Sequence, residues 1–304
     1  MKIKTHAICP VCLETVPAIK IKKGQDIFLE RDCPIHGHFS THVAKDAKRY
    51  LDKTFDVVGK EFHPTTKYNG ECGHDCGWCE EHRQHICTGL IEITDCCNMA
   101  CPICYFGQKA PRHISVEEFK SRLDTLLTVE QGCLDVLQIS GGECLIHPDF
   151  LQILDIALKE NISRILINTN GVELLNNEEI FNKIKEHKDQ VEIYLQFDGF
   201  DDDAYITLRG KPLLQQKLDI INKLNDNEIK ICLAVTVYDG NLKEIPKILE
   251  LSVKTKHISG ITFQRLTKVG SALSSTVPSV FQEDILLAIS RSGYMGYKDL
   301  IPLP

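Results

Sequence analysis

The sequence predicts an α/β protein: a partial (β/α)6 barrel of parallel strands, preceded by small loop-rich metal-binding domains. Three observations carry this expectation. From about residue 89 onward, short apolar runs alternate with stretches of helical period. Before that point the chain is rich in Pro, Gly and His and holds seven cysteines in close groups. Finally, eleven of the fourteen cysteines fall within the first 104 residues, too clustered for a disulfide framework in a chain of this length.

The strand candidates are Leu90–Thr94, Leu134–Ser140, Ile165–Thr169, Glu192–Phe197, Lys230–Val237 and Gly260–Arg265, each dominated by Val, Ile, Leu or aromatic residues. Helices are expected between them at Val116–Glu130, Pro148–Lys159, Glu178–His187, Leu213–Asn225 and Leu242–Lys254. Ser115 followed by Glu118 is a capping-box signal, and Pro148 suits a first helical turn. Strands alternating with helices imply a parallel sheet with right-handed crossovers. Such a sheet curls into an open barrel with its site at the carboxyl ends of the strands. Four segments are expected: a metal-binding domain at 1–45, a cluster-binding loop at 46–88, the strand–helix core at 89–276, and at 277–304 the start of a C-terminal segment.

Net charge is −7 and no long basic run occurs, which argues against a nucleic-acid partner. No segment has the uninterrupted apolar length of a membrane span, and Met1–Lys4 leads into a Cys motif without the apolar stretch of a signal peptide. A cytoplasmic protein is expected. In a reducing compartment, clustered cysteines point to metal.

Three cysteine sets stand out. Cys97, Cys101 and Cys104 form Cys-x3-Cys-x2-Cys directly after the first core strand. Three thiolates on a 4Fe–4S cluster leave one iron open for a chelating ligand. Cys72, Cys76, Cys79 and Cys87 supply four thiolates, enough to close a second cluster; structural zinc is the competing reading. Cys9, Cys12, Cys33 and His36 form two knuckles of one mononuclear site, for iron or zinc. Further signals end the core strands: Gly141-Gly142-Glu143, then Asn168 and Asn170 around Thr169, then Gln196 and Asp198, with Arg209 following and Gln264 ending the sixth strand.

Cys97, Cys101 and Cys104 together with Gly141-Gly142-Glu143 resemble the radical S-adenosylmethionine (SAM) superfamily, across about residues 89–270. The resemblance implies that the open iron chelates SAM. Reductive cleavage then yields methionine and a 5′-deoxyadenosyl radical able to take hydrogen from an unactivated C–H bond. It further implies that Glu143 accepts hydrogen bonds from the SAM ammonium, and that Arg209 meets its carboxylate. The Ile103 backbone would contact adenine, and Asn168, Asn170, Gln196, Asp198 and Gln264 would contact SAM or substrate. Where the family often has an aromatic before the third Cys this chain has Ile103, and where Pro often follows Gly-Gly-Glu it has Cys144. A ferredoxin or flavodoxin would deliver the electron.

The order of the three cysteine sets is similar to that of the tetraether lipid synthase branch. That likeness implies C–C bond formation on a lipid-like substrate, with peripheral membrane contact. Those enzymes continue past the counterpart of Ile301-Pro302-Leu303-Pro304, so the C-terminal segment is expected to be incomplete. Modification of a peptide or small metabolite, or a cluster-binding remnant without turnover, are the alternatives.

Overall fold

A computed structural model describes residues 1–52, 64, 67, 79, 85–106 and 110–300. The chain divides into two compact units, Met1–Val57 with Ser279–Pro304, and Val58–Pro278.

The first unit carries an antiparallel meander: β1 (Lys2–Ile8), β2 (Thr15–Lys23), β3 (Asp26–Cys33) and β4 (Gly37–Ala44), paired in chain order. A short helix, α1 (Ala47–Tyr50), follows. Residues 2–44 are therefore mostly strand rather than loop, which corrects the loop-rich expectation. The alternation was present in Lys2-Ile3-Lys4-Thr5-His6-Ala7-Ile8, but its inner positions are only half-buried. What the sheet buries is small: Cys9, Val16 and Cys33 in one cluster, Ile27, Ala44 and Ala47 in another. Because neighbouring strands run in opposite directions, the β1–β2 and β3–β4 connections emerge at the same end of the sheet. Those connections are the two Cys knuckles.

The second unit holds a six-stranded parallel sheet: β5 (Gly89–Thr94), β6 (Leu134–Gly141), β7 (Ile162–Thr169), β8 (Val191–Gln196), β9 (Lys230–Val237) and β10 (Ile258–Arg265). The strands neighbour one another in chain order, as strand–helix alternation predicts. The intervening helices are α2 (Val116–Val129), α3 (Phe150–Lys159), α4 (Val172–Asn176), α5 (Glu178–Glu186), α6 (Asp202–Arg209), α7 (Leu214–Asp226) and α8 (Ile245–Lys254). One face of the sheet is apolar and buried, with Ile91, Ile139, Ile167, Ile193 and Leu233 all at 3% exposure or less. The opposite face lines a cavity touched by side chains of all six strands, so the sheet curls around it.

The first unit is completed by α9 (Gln282–Arg291), whose Glu283 carboxylate accepts the backbone N–H groups of Lys45 (2.9 Å) and Asp46 (3.2 Å) at the start of α1. Lys45 also pairs with Asp284 at 2.9 Å. No helix among the described residues is long and apolar enough to cross a membrane.

Two local expectations change. Pro148 precedes the Asp149 N-cap, so α3 begins at Phe150. The capping box at α2 is half formed: Ser115 Oγ accepts the Glu118 N–H at 3.1 Å, while the Glu118 carboxylate pairs with Arg112 and Arg122 instead. Replacing Ser115 with Ala should lower the stability of the core by about 1 kcal/mol, and Asp should preserve it. Urea unfolding of both variants measures this; an unchanged Ser115→Ala midpoint would show the cap to be inert.

Candidate active site

The carboxyl ends of the six strands surround a cavity of about 1390 Å3. Cys97, Cys101 and Cys104 line one side of it, on the loop after β5. Cys97 is exposed and the other two are half-buried. The Met99 N–H points at Cys97 Sγ, 3.4 Å away. Burial pushes the Cys97 thiol up to about 11, and pushes Cys101 up as well, against the opposing charge and hydrogen bond of Arg209. Cys96 lines the cavity too, and serves through its backbone: it donates its N–H to Thr94 Oγ1 and accepts the Glu143 N–H at 2.8 Å.

The two glycines explain how the end of β6 meets this loop. A Cβ on Gly142 would sit 2.2 Å from the Cys96 carbonyl oxygen, and one on Gly141 2.3 Å from that of Thr94. Gly141 also has φ +142°, a conformation that side chains disfavour. Only Gly-Gly lets the strand end lie against the cysteine loop, where the Gly142 N–H donates to the Thr94 carbonyl at 2.7 Å.

Glu143 follows, with 1% of its surface exposed. Its carboxylate accepts the Leu145 N–H (3.2 Å), the Thr169 hydroxyl (2.6 Å) and the Asn170 N–H (2.8 Å). Burial pushes this carboxyl above the usual range, and those three donors and the Lys217 charge oppose the shift. Cys144 is buried and donates to the Asn168 carbonyl at 3.2 Å, an ordinary packed thiol.

Ile103, Asn168, Asn170, Gln196, Arg209 and Gln264 all line the same cavity. Asp198 does not. It is fully buried and grips Arg209 in a two-point pair, Nε to Oδ2 at 2.7 Å and a terminal nitrogen to Oδ1 at 2.9 Å. Its expected contact with SAM or substrate is therefore corrected: Asp198 orients Arg209. Gln196 is also engaged at both ends, accepting from Lys217 Nζ at 2.9 Å and donating to Asp198.

Lys217 was not singled out from the sequence. It lies on α7, fully buried, and its Nζ donates to the Asn170 carbonyl (2.5 Å) and to Gln196. Burial pulls its ammonium down to about 7. The signal was available: Lys217 stands three or four residues from Leu213, Ile220 and Ile221, on the apolar stripe of its helix.

In the first unit, ligand atoms of Cys9, Cys12, Cys33 and His36 all lie within 4.8 Å of one another. His36 Nδ1 is 3.5 Å from Cys33 Sγ and 3.7 Å from Cys9 Sγ. A tetrahedral zinc with thiolates at about 2.3 Å spaces its ligand atoms about 3.8 Å apart, so the set fits. Burial raises the Cys9 thiol, but the N–H groups of Cys12 and Val11 and the neighbouring thiols outweigh it, down to about 6. Of the four-cysteine set, Cys79 is buried and Cys87 exposed, with His85 Nε2 3.6 Å from Cys87 Sγ. Cys72 and Cys76 lie outside the described residues.

The sequence matches the radical SAM superfamily over residues 91–252 and the HMPTM N-terminal zinc ribbon domain over residues 2–45. It is similar to 7,8-dihydro-6-hydroxymethylpterin dimethyltransferase of Methanocaldococcus jannaschii, with 29% identity over 321 aligned positions, 100% of this chain and 62% of that protein. It is also similar to the antilisterial bacteriocin subtilosin biosynthesis protein AlbA of Bacillus subtilis, with 29% identity, 54% of this chain and 37% of that protein. The chain thus spans less than two thirds of either relative. Among solved structures, Streptococcus suis SuiB bound to precursor peptide SuiA shares the fold, with a TM-score of 0.56 and 14% identity, covering 68% of this chain and 44% of that chain.

Removing the Lys217 ammonium would leave two half-buried acceptors unpaired and take a positive charge away from Glu143. Lys217→Met should therefore cost about 2–4 kcal/mol of stability. Chemical denaturation of the cluster-free protein tests this, and a loss under about 0.5 kcal/mol, the size of a neutral surface change, would show that the ammonium is not what holds these strand ends.

Proposed function

This chain belongs to the radical SAM superfamily, and we propose that it transfers methyl carbon to a pterin-like heterocycle by SAM-dependent radical chemistry. The observation that carries the substrate class is the similarity to the pterin dimethyltransferase, which runs through 100% of this chain. The N-terminal ribbon match supports the same reading.

In this reading Cys97, Cys101 and Cys104 hold a 4Fe–4S cluster. Their chemistry fits: three thiols on one short loop line a single cavity, and coordination by iron is what would deprotonate them. When bound, that cluster supplies the electron that cleaves SAM to methionine and a 5′-deoxyadenosyl radical. The side chains do the rest. Glu143 receives the SAM ammonium on its remaining acceptor position. Arg209, held by Asp198 and Thr236, turns its remaining guanidinium nitrogen to the SAM carboxylate. The Ile103 backbone, Asn168, Asn170 and Gln264 complete the ligand-facing wall, and Gln196 braces it. Cys9, Cys12, Cys33 and His36 would hold zinc, and Cys72, Cys76, Cys79 and Cys87 would hold a second 4Fe–4S cluster. A ferredoxin- or flavodoxin-like protein is the reductant.

A lipid-like substrate, which the order of the cysteine sets suggested, is less well supported. The inner wall carries Gln138, whose amide bonds to no described residue, and Gln264, whose carbonyl is open. Hydrocarbon would bury such amides without partners. Peptide modification is the second reading, favoured by the similarity to AlbA and to the sporulation killing factor maturation protein SkfB of Bacillus subtilis.

Anaerobically reconstituted protein, given reductant, SAM and a reduced 6-hydroxymethylpterin, should cleave SAM and yield a pterin heavier by one methylene per methyl transferred. The triple variant Cys97→Ala, Cys101→Ala, Cys104→Ala should lose about four irons and all SAM cleavage, yet keep its zinc. SAM cleavage with no change in pterin mass would contradict the substrate class. Unchanged iron in the triple variant would contradict the cluster ligands.

A further inference from the structure

Along a parallel strand alternate side chains face the barrel interior. Inward positions on three strands carry Gln138 (β6), Tyr194 (β8) and Gln264 (β10), and all three line the cavity. They differ from Gln196, whose amide is engaged at both ends by Lys217 and Asp198. The Gln138 amide hydrogen-bonds to no described residue. Gln264 spends only its NH2, donating to the Tyr194 hydroxyl at 3.1 Å, and its carbonyl is open. The three groups therefore offer two amide carbonyls, one amide NH2 and a phenol, and no charge. Leu90, the cross-strand partner of Gln138, also lines the cavity and is 49% exposed, supplying apolar surface for the face of a ring.

Space allows a second ligand. Cavities of roughly 300–1,000 Å3 hold one small molecule, and this one is about 1390 Å3. An alkyl chain would leave these amides unpaired, and a charged ligand would find no counter-charge among them. The matching chemistry is flat and neutral, with several N–H donors and a carbonyl on one edge. A 2-amino-4-oxopyrimidine ring has that edge.

We propose that Gln138, Tyr194 and Gln264 form the substrate-reading subsite and recognise the amino-oxo edge of a pterin, an inference that rests on the pterin reading above. The amide carbonyls accept from the ring's amino and N–H groups, the Gln138 NH2 donates to the ring carbonyl, and Leu90 packs on the ring face. Sites built to hydrogen-bond a substrate group reject analogues that lack it far more strongly than apolar pockets reject a misfit.

The test is equilibrium binding to the reconstituted full chain, read by quenching of the fluorescence of 6-hydroxymethylpterin. 6-Hydroxymethyllumazine, which keeps the 6-substituent and carries oxygen in place of the 2-amino group, is the comparison probe. The wild-type protein should bind the pterin about ten-fold more tightly than the lumazine. Gln138→Leu and Gln264→Leu should each weaken pterin binding by a similar factor and shrink the preference over the lumazine. Gln138→Met and Gln264→Met keep the side-chain length without its polar groups, and should also lose preference if the Leu variants fold poorly. Variants that bind pterin as tightly as wild type, or a wild type that binds both probes equally, would overturn the subsite while leaving the pterin reading standing. A wild type that binds neither probe, although its reduced cluster signal still responds to SAM, would overturn the pterin reading and the subsite together.

Discussion

The Glu143 carboxylate, almost wholly removed from solvent where the end of β6 meets the cysteine loop, is the contact on which the site depends. Burying an ionised carboxylate is expensive unless its oxygens are satisfied. Here the donors come from Leu145, Thr169 and Asn170, while the Glu143 backbone binds the Cys96 carbonyl. One residue therefore ties together the loop after β5, the end of β6 and the end of β7. A carboxylate offers about four acceptor positions. Three are filled, and the last one, with the negative charge, is a socket suited to an ammonium group. Gly141 and Gly142 make this possible, because any Cβ would push the two backbones apart.

Around that carboxylate acidic and basic side chains are packed against one another. Glu143 and Asp198 are set against Lys217 and Arg209, and the neutral amide of Gln196 bridges Lys217 to Asp198. Such networks add little stability compared with apolar packing, but they fix geometry. Arg209 is fixed relative to Cys101, and Asn170 relative to Glu143. The ends of β7, β8 and β9 are thus held in register by polar contacts, in the region where apolar packing stops.

The barrel was legible because its strands are continuous apolar runs: Leu134–Ser140 and Lys230–Val237 match the observed strands to within a residue. The cysteines and Gly141-Gly142-Glu143 were legible because few other arrangements call for those residue types side by side. The first sheet was not, since its inner positions are half-buried and its cysteines, glycines and prolines mask the alternation. Helices α4 and α6 span only five and eight residues and escaped notice. Asp198 looked like a ligand contact because it ends a strand. Only the fold shows that Arg209, eleven positions later, turns back to claim it. Lys217, Gln138 and Tyr194 are single residues on separate elements, with no local spacing to mark them. The same scatter explains why the substrate does not follow from the sequence: the cysteine order speaks to metals, whereas the cavity wall is assembled one side chain per strand.

The central claim is that Glu143 receives the SAM ammonium beside a cluster held by Cys97, Cys101 and Cys104. The most direct measurement is the electron paramagnetic resonance spectrum of the reduced Glu143→Gln protein during a SAM titration. The charge-assisted contact is worth about 1.5–3 kcal/mol, a loss of about ten-fold or more in affinity. The spectrum without SAM should match wild type, and the SAM-induced change should need correspondingly more SAM. A Glu143→Gln spectrum that responds at wild-type SAM concentrations would contradict the account.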